Sequence, residues 1–270
     1  MNDKTVTQNI AKESLNKTLD EVLEILEADD GKTFEEKRDE VVNLLCADVT
    51  AELADTLVDL AIAETEGSKI KDLFWSFGNI ALDDGRLVLR TPAEPDREGY
   101  IAIQKAYSPM RGMLKEKSFC DMIWKELNED KSLMLSIELS GQYIGYCGIK
   151  NTAQKPWEIA IELKPEWTGK GIGGLVISAM LNEIKRRLGK AEFRLRIEPS
   201  NYASQKLFEK LGAKPNGISE LWIHDKEMLA KIEEENLNQI DEHLLKVAEK
   251  FHVEPRLLLS HVLEYTLLWE

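Results

Sequence analysis

Cysteine, histidine and proline are scarce in this chain, and a long apolar run is missing altogether. The three cysteines, Cys46, Cys120 and Cys147, show no paired spacing, which excludes a disulfide framework and a thiolate zinc site. They predict a reducing compartment. The histidines, His224, His243, His252 and His261, have no ligand spacing, so no metal site is expected. No stretch approaches the roughly 18 to 20 apolar residues that a membrane span needs. The opening Met1-Asn2-Asp3-Lys4 leads into polar residues without the apolar core of a signal peptide. A cytoplasmic protein with no membrane partner is the expectation.

What the chain does have is charge, distributed unevenly. The net charge is −14. Residues 1–85 hold 8 Lys/Arg against 21 Asp/Glu (net −13), residues 86–225 hold 22 against 18 (net +4), and residues 226–270 hold 5 against 10 (net −5). A chain this acidic is a poor nonspecific nucleic-acid binder, whereas its slightly basic middle suits a polyanionic ligand.

The same three divisions appear in the hydrophobic pattern. From Thr5 to about Ile80 there is no proline and the spacing is helical, with a first stripe of Leu15, Leu19, Val22, Leu23 and Leu26. Further helices are expected over 34–46 and 49–64, and a shorter one carrying Ile70, Leu73, Phe74 and Trp75. Asp83-Asp84-Gly85 signals a turn. A strand over 86–91, one or two helices across 94–128, and a hairpin of 133–139 with 143–150 around Ser140-Gly141-Gln142 follow. Beyond Gly217 the pattern reads as one short strand or helix start over 218–223, helix over 225–249, a break at 251–255, and helix again through Leu268.

The densest chemical signal lies at Pro165-Glu166-Trp167-Thr168-Gly169-Lys170-Gly171-Ile172-Gly173-Gly174. Before it, Trp157, Ile159, Ile161 and Leu163 alternate with Glu158, Ala160 and Glu162, as in a half-buried strand. After it, Ile172, Leu175, Val176, Met180, Ile184 and Leu188 recur at helical spacing. Strand, glycine loop and helix together make a phosphate cradle from backbone N–H groups and the helix dipole. A P-loop is excluded because Gly171, not Ser or Thr, follows Gly169-Lys170. A dinucleotide fingerprint is excluded because its third glycine is missing.

Thr168-Gly169-Lys170-Gly171-Ile172-Gly173 resembles the Arg/Gln-x-x-Gly-x-Gly/Ala loop of the GNAT N-acetyltransferases, except at its first residue. A second block is similar too. The strand 192–198 and Asn201-Tyr202-Ala203-Ser204-Gln205-Lys206-Leu207-Phe208-Glu209-Lys210-Leu211-Gly212 resemble the family's Asn-x-x-Ala/Ser-x-x-Leu-Tyr-Glu-Lys-x-Gly helix. Arg86-Leu87-Val88-Leu89-Arg90-Thr91-Pro92 resembles the first strand of the branch that acetylates ribosomal-protein N-termini. The resemblance covers Arg86 to about Trp222. It implies an α/β (α+β) acyl-CoA transferase fold with a mixed, mostly antiparallel sheet. The expected organisation is then an acidic helical segment over 1–84, the GNAT domain over 85–224, and a helical extension over 225–270.

The resemblance also implies roles. The donor is acetyl-CoA and the acceptor a primary amine, joined directly in a ternary complex. Gly169, Lys170, Gly171, Ile172, Gly173 and Gly174 would hold the pyrophosphate. The main chain of Ile161, Glu162 and Leu163 would pair with the pantetheine arm, and Asn201 would reach the thiol end. Glu158 matches the family's base position, and Glu162 shares its face. Phe208 stands where many members carry the tyrosine acid, so Ser204 becomes the acid candidate, with Tyr202 second. Two carboxylates on the substrate strand predict a cationic acceptor. Lys185-Arg186-Arg187 with Lys190, Arg194 and Arg196 reads as a solvated helix end beside a strand. Two competing functions remain: a non-catalytic CoA-binding module, suggested by Thr168 and Phe208, and an interaction protein whose acidic helices bind a basic partner, with the GNAT fold as scaffold; the helical extensions are also the candidate surfaces for a homodimer or a protein partner.

Overall fold

In the computed structural model the described residues are 67–220 and 225–270, with Ile25, Ala28, Gly31, Lys32, Glu36 and Glu40 ahead of them. Apart from those six, the residues of the helices expected over 5–64 lie outside the described ones, as do Cys46 and His224. The chain divides into two compact units, Met1–Lys69 and Ile70–Glu270, and the second contains all the strands described below.

That second unit opens with helical residues 70–75, in which Phe74 is fully buried and Leu73 faces out. Its strands are β1 (Ile80–Leu82), β2 (Leu87–Arg90), β3 (Leu133–Leu139), β4 (Gln142–Ile149), β5 (Trp157–Leu163), β6 (Glu192–Ile197), β7 (Lys214–Glu220) and β8 (His261–Leu268). Helices α1 (Arg97–Tyr107) and α2 (Lys117–Leu127) come between β2 and β3. Helix α3 (Ile172–Leu188) links β5 to β6, and α4 (Tyr202–Lys210) links β6 to β7. Helices α5 (Lys226–Glu235) and α6 (Glu242–Phe251) precede β8.

The eight strands form one sheet in the order β1-β2-β3-β4-β5-β6-β8-β7. Every neighbouring pair is antiparallel except β5 with β6. The expected β3–β4 hairpin is present, and Ser140 (φ 49) with Gly141 (φ 81) makes its turn, two left-handed residues whose twist suits a two-residue loop. The parallel pair is short. Only Trp157↔Phe193 and Glu158↔Arg194 are in register, although β5 continues to Leu163 and β6 to Ile197.

Alternation on the strands builds two cores. On one face Leu135, Ile137, Cys147, Ile159 and Leu163 pack with Val176, Ile177, Met180 and Ile184 of α3. On the other, Met134, Tyr146 and Ala160 pack with Tyr100, Ile101 and Ile103 of α1 and Cys120 of α2. Leu175, expected in the α3 stripe, is exposed. Asp96, buried at the start of α1, ties β2 to β3 by accepting from Arg90 Nη1 and Nη2 (both 2.7 Å) and from the Ser136 hydroxyl (2.7 Å).

The end of the chain corrects the sequence reading. Helices do follow residue 225, but residues 261–268, expected to be helical, are strand β8, paired with both β6 and β7. Leu263, Tyr265 and Leu267 are fully buried while Glu264 and Thr266 are partly exposed. That period of two is a strand's, and the unfilled gap between β6 and β7 selects it over the helical spacing of Leu257, Leu258, Val262 and Leu263. Helix α6 likewise packs inward, through Leu244, Val247 and Phe251.

Candidate active site

The glycine loop folds as its sequence requires. Gly169 (φ 70) and Gly171 (φ 79) are left-handed, a conformation that a side chain would strain by roughly 1–2 kcal/mol. Gly171 sits at the N-cap of α3 and no side chain caps the helix. The first helical bond of α3 runs from Leu175 N–H to the Gly171 carbonyl at 3.4 Å, so the N–H groups of Ile172, Gly173 and Gly174 have no intrahelical partner. They remain available to an anion. Lys170 Nζ lies 4.6 Å from the centre of the Trp167 ring, beside that end. Thr168 donates its hydroxyl to the Pro165 carbonyl (2.8 Å), which fixes the loop and leaves this residue without a charge for phosphate.

Helix α4 closes on the cradle. A Cβ on Gly173 would lie 3.4 Å from Leu207 Cδ2 and 3.6 Å from Ile161 Cδ1, so the first turn of α3 faces both α4 and the Ile161 side of β5. Ser204, one turn before Leu207, shares that face of α4. Asn201 is the N-cap of α4 and its side-chain oxygen accepts from Ser204 N–H at 3.1 Å. Phe208 is buried in the core. The ring of Tyr202 instead stacks against His243, 5.0 Å between centroids, which directs it to α6.

The two strand carboxylates have opposite surroundings. Glu158 is buried and takes Lys150 Nζ (2.6 Å), Arg196 Nε (2.8 Å) and Arg194 Nη2 (3.3 Å). Burial alone would raise its pKa, but the charges and hydrogen bonds of Lys150 and Arg196 outweigh burial and hold it below the usual glutamate range. A carboxylate so neutralised is a weak base. Glu158 lies at the closed, paired end of β5, at the centre of three ion pairs.

Glu162 is the contrasting case. Burial raises its pKa, against hydrogen bonds from Tyr146 and Gln104 that lower it. Gln104 Nε2 donates to Glu162 Oε2 at 2.9 Å and lies 3.2 Å from the Tyr146 hydroxyl. Burial followed by the Glu162 charge pushes the Tyr100 and Tyr146 phenols up as well. The phenol of Tyr107, at the end of α1, is raised by burial and then by the charges of Glu162 and Glu166. Gln104, Tyr146 and Tyr107 were not singled out in the sequence. Gln104 follows Tyr100 by one helical turn on α1, a spacing that offered the only hint.

The cradle and Glu162 lie on opposite faces of β5. Where β5 and β6 part, beyond Glu158↔Arg194, the Ile161–Leu163 edge has no strand in register, so its backbone groups can take an extended ligand as an added strand. Uncapped amides at one end and a free strand edge at the other fit the pyrophosphate and the amide-bearing arm of an acyl-CoA.

An anion cradle, an open strand edge and a buried carboxylate occur within one sheet. Comparison with known proteins agrees. Residues 86–214 match the model of the acetyltransferase (GNAT) domain. It is similar, at 29% identity over 106 residues, to a Bacillus subtilis (strain 168) protein named as a ribosomal protein bS18-alanine N-acetyltransferase, across 39% of this chain and 70% of that one. Among solved structures it is similar to RimL, a ribosomal L7/L12 alpha-N-protein acetyltransferase in complex with coenzyme A (12% identity, 71% of this chain and 98% of that chain, TM-score 0.49). It is also similar to Mycobacterium smegmatis RimJ in complex with CoA-disulfide (15%, 71% and 86%, TM-score 0.46).

Arg186 and Arg187 pair with Glu183, and Arg187 also donates to the Phe74 and Gly78 carbonyls (both 2.8 Å), a structural role. Cys120 and Cys147 are free and buried. Among the described residues no cluster of metal ligands occurs and no helix is long and apolar enough to cross a membrane.

Proposed function

We propose that this acetyltransferase modifies the N-terminal amine of a peptide or protein, with Glu162 as the general base. The observation that carries the reading is the parting of β5 and β6 with the cradle on one face and Glu162 on the other. Acetyl-CoA held on the α3 face presents its thioester at the opening, and the amine approaches from the α1 face. The amine nitrogen bonds to the carbonyl carbon, the carbon–sulfur bond breaks, and the thiolate leaves with its electron pair. Glu162 accepts the amine proton, directly or through one water.

The chain's own residues prepare this step. Gln104 and Tyr146 orient the Glu162 carboxylate, and its raised pKa brings it nearer the working pH of a base. Ser204, on the α4 face beside the cradle, is the hydroxyl assigned to the departing thiolate. Asn201, with its amide nitrogen uncommitted by the cap, is assigned to the arm of the cofactor. The ribosomal alanine N-acetyltransferase relative supports a peptide amine over a small amine. The test is calorimetric binding of acetyl-CoA followed by mass spectrometry of N-terminal peptides. A mass gain of one acetyl group at the α-amine is expected, and cofactor binding with no acetylated peptide would favour a CoA-binding module instead.

A further inference from the structure

We propose that Trp167 is a positioning residue for the acyl-CoA donor: the face of its ring holds the Lys170 ammonium at the mouth of the glycine cradle, where that charge meets a phosphate oxygen. This rests on the reading that the cradle takes the donor's pyrophosphate.

The turn before the cradle makes a fixed platform. Residues Pro165–Trp167 form a 3-10 turn, in which Trp167 N–H donates to the Lys164 carbonyl (2.9 Å) and Thr168 N–H to the Pro165 carbonyl (3.2 Å). The Trp167 ring is half-buried and packs against the core that β5 shares with α3. Its Nε1 is buried and makes no hydrogen bond, so the part of the indole that serves the loop is its face.

Lys170 is the cation that this platform addresses. It is exposed and stands between Gly169 (φ 70) and Gly171 (φ 79), where an added Cβ would meet nothing within 4 Å, so the loop on either side of it is open. A lysine there has a flexible four-carbon stem and a strongly hydrated head, and would otherwise sweep through solvent. Instead its Nζ lies 4.6 Å from the centre of the Trp167 ring, a cation–π contact. The ring attracts the ammonium from one side and leaves N–H donors on the other for an oxygen acceptor.

The other polar groups of the loop do not take this place. Lys164 lies over the Tyr143 ring, 5.5 Å from its centre, on the α1 side of the sheet. Glu166, the loop's one carboxylate, acts on the Tyr107 phenol, and among the described residues Lys170 has no ion-pair partner. Thr168 has committed its hydroxyl to the Pro165 carbonyl. The charge absent at Thr168 is therefore supplied from Lys170, and Trp167 sets where it stands. A side chain already restrained loses less freedom when the ligand arrives, so the platform turns into affinity.

The test is a double-mutant cycle read by calorimetric titration of coenzyme A, which needs neither acceptor nor turnover. Lys170→Met should weaken binding roughly 10-fold, as loss of a charge-assisted hydrogen bond implies, and the difference should shrink at about 0.5 M salt. Trp167→Leu should weaken it about 3-fold, and Trp167→Phe, which keeps a ring face, by less. In the Lys170→Met background, Trp167→Leu should cost nothing further. A Trp167 that merely supports the loop would cost the same with and without Lys170, which would overturn the proposal. In proton spectra of the unliganded protein carrying isotope-labelled lysine, the Lys170 methylene signals should be moved upfield by the ring and should return to ordinary positions in Trp167→Leu. Ordinary positions in the unmodified protein would also overturn the proposal. Unchanged coenzyme A affinity in Lys170→Met would do the same while leaving the cradle reading intact. Failure of the unmodified protein to bind coenzyme A would remove that reading and this inference with it.

Discussion

Replacing Glu162 by glutamine separates its chemistry from its place in the fold. Glutamine has nearly the same shape, and its amide oxygen can still accept from Gln104 Nε2 at the 2.9 Å position. What disappears is the ability to take a proton. A positioned general base contributes about 100-fold to 10,000-fold, or roughly 3 to 5 kcal/mol of barrier, so kcat/KM for a peptide should fall by that factor while acetyl-CoA affinity stays. Stability should move the other way. Because burial raises the Glu162 pKa from 4.5, the ionised group opposes folding. Its contribution is favourable below the unfolded pKa and is lost as pH rises through the folded pKa. Glutamine carries no such loss. Thermal melts from pH 4 to 8 should therefore show the variant gaining on the unmodified protein, while thiol release with peptide shows it nearly inactive. Retention of kcat/KM within threefold would refute the assignment of Glu162, whatever the melts show.

Three further perturbations test other parts of the structure. Glu158→Gln leaves Lys150, Arg194 and Arg196 without their counter-charge, and a loss of about 2 to 3 kcal/mol is expected in urea melts, discounted because the cations are partly exposed; since the Glu158 pKa is lowered, the difference should vanish as pH falls through its folded value, below 4.5. Arg187→Met strands the Phe74 and Gly78 carbonyls and should cost about 3 kcal/mol or more, read as a fall in the melting midpoint; an unchanged midpoint would count against a structural Arg187. Truncation after Ser260 removes Leu263, Tyr265 and Leu267, each fully buried, at about 2 to 5 kcal/mol apiece, so the product should show no cooperative melt by circular dichroism.

The parts legible in the sequence were those specified locally. The cradle, β5 and α3 follow from glycine placement and from a change of hydrophobic period at one loop, and the β3–β4 hairpin follows from its turn residues. β8 was not legible because Leu257, Leu258, Val262 and Leu263 satisfy helical spacing, while the partners that make 261–268 a strand lie on β6 and β7. β1, only Ile80–Leu82, merged with the helical pattern before it. Glu158 and Glu162 looked alike for a related reason: both face the same side of one strand. What distinguishes them is Lys150, Arg194 and Arg196 around one and Gln104 and Tyr146 around the other, all brought in from separate elements.

The interleaving of β8 between β6 and β7 has a consequence for synthesis. β7 is complete at Glu220, yet β8, its pairing partner among the described residues, begins at His261. At typical elongation rates the 40 residues between them take about 2 to 8 s to make. Through that interval β7 and the far edge of β6 expose unpaired backbone, the template on which misassembly and chain-to-chain pairing begin. The growing chain is therefore most vulnerable to aggregation after its glycine cradle has been synthesised, and a chaperone that delays β7 would protect it at that stage.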